Sequence, residues 1–218
     1  MFDPFKKLFG KKKTWPQFTD DQYSQHYDLK KQGLERVLGK MHGLVMHAII
    51  DFQVGGPVAM YYFPNACDGT GFATMELIEP DGSGPQLSRI GTYELVAFTR
   101  YKVGDETHRA AFKQIELHIR GIFTKVGRHS FEALFNPLET VEVPADEGKP
   151  TYCLILDEYK KQGVEFMIGG SKHGLLLVIE VFRTEMEYAM ENGPQVVLDR
   201  LKEKGYYPYS DLEREPVF

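Results

Sequence analysis

The stretch from Gly174 to Gly205, GLLLVIEVFRTEMEYAMENGPQVVLDRLKEKG, leaves few ways for this chain to fold. Leu175 to Phe182 is apolar throughout except for Glu180. A run that short and that apolar suits a strand covered on both faces. Thr184 and Glu187 form a T-x-x-E capping box, so a helix is expected to start there. Met186, Ala189 and Met190 give it an apolar face, and Asn192-Gly193 stops it. Pro194 suits the first turn of a second helix, which carries Val197, Leu198 and Leu201 on one side and ends at Gly205.

The remainder supplies what that unit must pack against. Phe18 to Gly39 reads as a helix, with Thr19 and Gln22 as a capping box and Phe18 stapled onto Tyr23. Leu44 to Phe52, Val58 to Phe63, Phe72 to Ile78 and Thr92 to Thr99 read as strands of an antiparallel meander. Asp105 to Val126 is a helix whose stripe runs through Phe112, Ile115, Ile119, Ile122, Phe123 and Val126. Asn136 to Pro150 reads as irregular and acidic, with Glu139, Glu142, Asp146 and Glu147. Tyr152 to Leu156, Val164 to Ile168 and the stretch from Leu175 are three more strands, with Gly169 to Gly174 as a flexible hairpin connection. The expected plan is a basic segment over 1–17 followed by one α+β layered domain over 18–218.

Charge narrows the partners. The net charge is −5, but residues 1–13 carry +4 through Lys6, Lys7, Lys11, Lys12 and Lys13 against Asp3, so the rest carries −9. An acidic body disfavours nucleic acid and suits a basic protein partner. Phe2, Phe5, Leu8 and Phe9 among those lysines admit a membrane-surface contact, though the piece is too short to anchor alone. No run approaches the ~18 apolar residues of a membrane span, and no apolar stretch follows the basic N-terminus as a secretory signal requires. Two cysteines, Cys67 and Cys153, make no disulfide framework and fit a reducing cytoplasm.

Residues that could carry chemistry do not assemble into a known motif. Seven histidines include His42, His47, His108, His118 and His129, without zinc-site spacing; on one strand His42 and His47 would face opposite ways. Ser171, Lys172 and His173 superficially suggest an activated serine, but catalytic partners are neighbours in space and a turn explains them better. Gly169-Gly170-Ser171-Lys172 is only a fragment of a phosphate loop. Glu180 is the one polar residue of its strand, and it points to a strand near a sheet edge, to Arg183 or a lysine as partner, or to a pocket that raises its pKa. Together with Glu94 it is the carboxylate pair on which a small cytoplasmic enzyme would rest. Tyr206, Tyr207 and Tyr209 fit either a docking surface or packing on the core. No catalytic residue, cofactor or metal ligand is assigned.

The order of segments resembles the suppressor-of-fused domain family. The strand TYELVAFT carries Tyr93-Glu94-Leu95-Val96 where the family has its Y-E-L-V strand, and a long helix, the turn Asn136-Pro137-Leu138 and the strand Tyr152 to Leu156 follow. The closing strand leads into Phe182-Arg183-Thr184-Glu185-Met186-Glu187, which matches the family's helix start shifted by one inserted residue. The resemblance spans about residues 40 to 204 and rests on hydrophobic and topological motifs. It implies a mixed, largely antiparallel sheet with helices packed on it, and protein binding without catalysis. Stand-alone bacterial members resemble immunity proteins, which bind and block a cognate toxin; no binding residues are implied.

Overall fold

The computed structural model describes residues 18–144 and 151–218. The lysine-rich segment and the acidic residues Asp146 and Glu147 lie outside that range.

Helix α1 (Asp20–Leu38) starts where its capping box sets it: Thr19 Oγ1 accepts from Gln22 N, and Gln22 Oε1 accepts from Thr19 N at 2.8 Å. Phe18 meets Tyr23 edge to face at 5.7 Å, as the staple requires. Strands β1 (Val45–Met46), β2 (Met60–Phe63), β3 (Thr70–Ala73) and β4 (Tyr93–Thr99) form the antiparallel meander. Helix α2 (Arg109–His129) follows a 3-10 turn over Glu106–His108. Strands β5 (Thr140–Val143), β6 (Tyr152–Glu158), β7 (Met167–Ile168), β8 (Ser171–Lys172) and β9 (Gly174–Glu180) come next, then α3 (Arg183–Asn192) and α4 (Pro194–Glu203).

Seven strands make one sheet in the order β1-β2-β3-β4-β9-β6-β5. All its pairings are antiparallel except β4 with β9, which is parallel. The apolar strand β9 is therefore central. Its alternate side chains serve two cores. Leu175, Leu177 and Ile179 pack with Leu34 and Leu38 of α1 and with Met186, Leu198 and Leu201 of α3 and α4. Leu176 and Val178 pack with Ile119, Ile122, Phe123 and Val126 of α2. The molecule is a three-layer α+β structure, with the sheet in the middle.

Several local expectations need correction: Phe72 to Ile78 is a strand only as far as Ala73, and Val164 to Ile168 only at Met167–Ile168. Leu44 to Phe52 is a strand only at Val45–Met46; Ile49 and Ile50 are exposed, and a 3-10 turn follows at Phe52–Val54. β-rich composition cannot extend a strand beyond its partner, and β2 pairs only two of these residues. His42 and His47 thus flank the strand and lie outside it. The acidic stretch after Asn136 contains β5, a four-residue edge strand. Finally, α3 begins at Arg183, so Thr184 is an exposed residue inside its first turn. Glu185, not Glu187, reaches back to the Phe182 backbone N–H at 2.9 Å. The buried pairing of Glu185 with Arg214 sets that start.

The C-terminal residues fold back on the sheet. Ser210 N donates to Phe98 O at 2.9 Å. Tyr206, Tyr207 and Tyr209 are half-buried: the Arg100 guanidinium lies over the rings of Tyr206 and Tyr209, and Tyr207 donates to Asp157 at 3.1 Å. Packing on the domain, rather than display, is what these tyrosines do. Glu185, fully buried, is gripped in two-pronged fashion by Arg214 at 2.6 and 2.7 Å and also accepts from Val217 N. Such fork-to-fork pairs add geometric specificity as well as energy, so the tail is pinned to α3.

Candidate functional site

Glu94 and Glu180, the two carboxylates an enzyme would combine, do not meet. In the parallel register Glu94 lies beside Leu175, five residues from Glu180, which is about 16 Å along the strand. They also project from opposite faces. Glu94 shares its face with Val96 and Phe98, toward α1; Glu180 shares its face with Leu176 and Val178, toward α2.

Glu94 belongs to a closed network. Lys30 of α1 donates to its Oε1 at 2.8 Å, and the two side chains are 1% and 0% exposed. Thr74 Oγ1 donates to Oε2 at 2.7 Å, and the backbone N–H groups of Leu77 and Ile78 point at the same carboxylate. The network turns the chain after β3 and ties α1 to the sheet. The sequence held no local sign of it, since 64 residues separate Lys30 from Glu94.

Glu180 finds its partner in His118 of α2, whose Nε2 donates to Oε2 at 2.5 Å; neither Arg183 nor a lysine is involved. Arg183 pairs instead with Glu142 of β5 at 2.6 Å. The Glu180–His118 pair lies in a cleft of about 220 Å³ between α2 and the C-terminal tail. Asp211 and Glu213 also line it, with Ile115 and Leu212 as its apolar part. Asp211 is buried and held by Thr99 Oγ1 at 2.5 Å and Arg100 N at 2.8 Å; burial pushes its carboxyl above the ordinary range despite those donors. Tyr101 donates to Glu213, and that carboxylate pushes the phenol up to about 12. One carboxylate of the cleft, Glu180, meets the histidine, and two more line the same cleft with partners of their own.

The other candidates disperse. Gly169 and Gly170, both at positive φ, make the turn between β7 and β8. Ser171 is exposed, Lys172 pairs with Glu165, and His173 Nδ1 meets Thr92 Oγ1 at 2.7 Å. No serine is activated there, because the hydroxyl and the imidazole have separate surroundings. His108 contacts Asp105 at 3.0 Å, and His129 donates to the carbonyl of Lys125. No group of three or more His, Cys, Asp or Glu among the described residues could hold a metal ion. No helix among them is long and apolar enough to cross a membrane.

Comparison with known proteins adds the fold. No protein-family model and no curated protein matches the chain. Among solved structures, a chain of "the Sufu-Fu complex crystal structure" is similar, with a TM-score of 0.56 and 17% identity. The match covers 88% of this chain and 90% of that one. The fold is therefore Sufu-like.

Proposed function

We propose that this chain is a non-enzymatic protein-binding domain whose partner is a basic protein. The observation that carries the reading is the likeness, over almost the whole chain, to a protein solved in complex with another protein. The sign of the partner's charge follows from the acidic body, −9 after the first 13 residues, and from the cleft that Glu180, Asp211 and Glu213 line. Clustered carboxylates of this kind steer an oppositely charged partner and penalise wrong ones.

The role that fits best is that of a bacterial immunity protein, acting in the cytoplasm by capping a basic toxin domain. Occlusion needs a rigid, charge-complementary face and no reacting groups, which matches a site whose polar atoms are engaged by the fold. The test is co-expression with the toxin encoded by the neighbouring gene. Rescue of growth together with a co-purifying complex supports the role; toxicity that persists, with no complex in a pull-down, sinks it.

A further inference from the structure

A larger concavity, of about 410 Å³, opens on the opposite face of the sheet, where α1 crosses the edge strands. Tyr23, Tyr27 and Tyr61 form its aromatic walls, and Glu76 and Glu79 line it. Lys30 sits at its floor and is fully committed. An ammonium group has three N–H donors. Lys30 spends them on Glu94 at 2.8 Å, on Met75 O at 2.8 Å and on Ile78 O at 2.6 Å. Nothing is left for the other two carboxylates.

Glu76 and Glu79 consequently bond only neutral donors. Glu76 Oε2 accepts from Ala59 N at 2.8 Å. Glu79 accepts from Gln53 Nε2 at 2.6 Å and from Tyr23 at 3.4 Å. Among the described residues neither forms a salt bridge. Buried charges are ordinarily paired, because desolvation without a counter-ion is expensive. Burial pushes both carboxyls above the ordinary range, although the Lys30 charge nearby pulls each of them down. A second, independent sign is Tyr61. It is 6% exposed and packs on Tyr27 at 6.0 Å, yet its hydroxyl has no hydrogen-bond partner among the described residues.

We propose that this groove receives a lysine or arginine side chain presented by a basic protein partner. Glu76 and Glu79 supply the countercharge, the tyrosine faces supply cation–π attraction, and the Tyr61 hydroxyl accepts one N–H. A neutral or anionic occupant would leave both carboxylates as uncompensated as they are now. The source of the side chain rests on the protein-binding reading; the cation site itself does not.

The test is an NMR titration of the isotope-labelled full chain with a trilysine peptide, and with its ε-acetylated counterpart. Saturable shifts confined to α1 and residues 75–79 are expected, with no binding of the acetylated peptide. The double variant Glu76→Gln/Glu79→Gln, near-isosteric and so expected to fold, should bind at least tenfold more weakly. Tyr61→Phe, which keeps the wall, should lose about threefold. Glu191→Gln, at an exposed position of α3, should bind as the parent does. Non-saturating shifts, equal binding of the acetylated peptide, or an unchanged affinity in the double variant would overturn the proposal. So would tenfold tighter binding by a full-length variant with Lys6, Lys7, Lys11, Lys12 and Lys13 replaced by Gln, since the chain's own basic segment would then be the occupant. A groove that binds trilysine in a protein that captures no toxin leaves the site standing and removes the immunity role alone.

Discussion

At the scale of single residues, the polar groups that matter are those that sequence spacing could not pair. Lys30 lies on the buried side of α1 and Glu94 in mid-strand, and each looks like a solvated residue until the fold joins them. Lys30→Met is expected to destabilise by about 3–5 kcal/mol, because it strands Glu94 in the core. Urea denaturation would measure it. Adding Glu94→Leu should recover only part of that loss, since Thr74 and the N–H groups of Leu77 and Ile78 lose their acceptor. Glu76 and Glu79 give a pH signature. Their folded-state pKa values are raised, so the folded protein takes up protons at a higher pH than the unfolded chain does. Stability should therefore gain as pH falls from 7 through the raised carboxyl pKa values, and the gain should level off below the ordinary carboxylate range. Exposed Asp68 and Asp105, lowered by Lys102 and His108 respectively, act in the opposite sense. The informative quantity is thus the difference between the parent and Glu76→Gln/Glu79→Gln, measured as urea midpoints from pH 7 to 5; the variant should gain less.

At the scale of elements, local signals were legible where the element is stabilised locally. The Thr19–Gln22 box starts α1 and the Asn192-Gly193-Pro194 break separates α3 from α4, because caps and prolines act within one turn. Long-range contacts overrode such signals elsewhere. Thr184 looked like a cap, but the Arg214–Glu185 grip moves the helix start. Thr184→Ala should accordingly change stability by less than about 0.5 kcal/mol, the usual range for an exposed site, whereas Glu185→Ala, which leaves Arg214 buried and unpaired, should cost about 3–5 kcal/mol. Thermal denaturation of both variants would check the contrast. Gly33 poses a second conflict. Helix propensity alone favours Gly33→Ala by about 1 kcal/mol. A Cβ there would stand 2.2 Å from the carbonyl oxygen of Met167 in β7, and backbone cannot step aside cheaply. Packing should win, with a net loss of about 1–3 kcal/mol. Strand β5 is not legible in the sequence because four residues in an acidic, turn-rich stretch carry too little pattern, whereas the β-rich composition of Leu44 to Phe52 exceeds the two residues that β2 pairs.

At the scale of the whole molecule, the apolar run of β9 organises everything: two cores, one on each face, and helices on both sides. That much was readable, since a strand apolar on both faces demands two covers. The two concavities were not readable. Each is built from segments distant in sequence, α2 with the C-terminal tail in one case and α1 with the β2–β4 region in the other. Both are rich in carboxylates, and both are held by the fold rather than by loops alone. A domain of this design should associate with a basic protein quickly and lose affinity as salt screens the attraction. Glu213→Lys, at the exposed rim of the α2 cleft, should slow association while leaving the urea midpoint close to the parent's. The most direct measurement of the proposed role is calorimetric titration of the full chain with the purified product of the neighbouring gene, the proposed toxin, at low and at high salt. A saturable 1:1 complex that weakens with salt, paired with loss of toxicity on co-expression, is the expected result. Absence of heat and of complex at both salt concentrations, with toxicity intact, would contradict it.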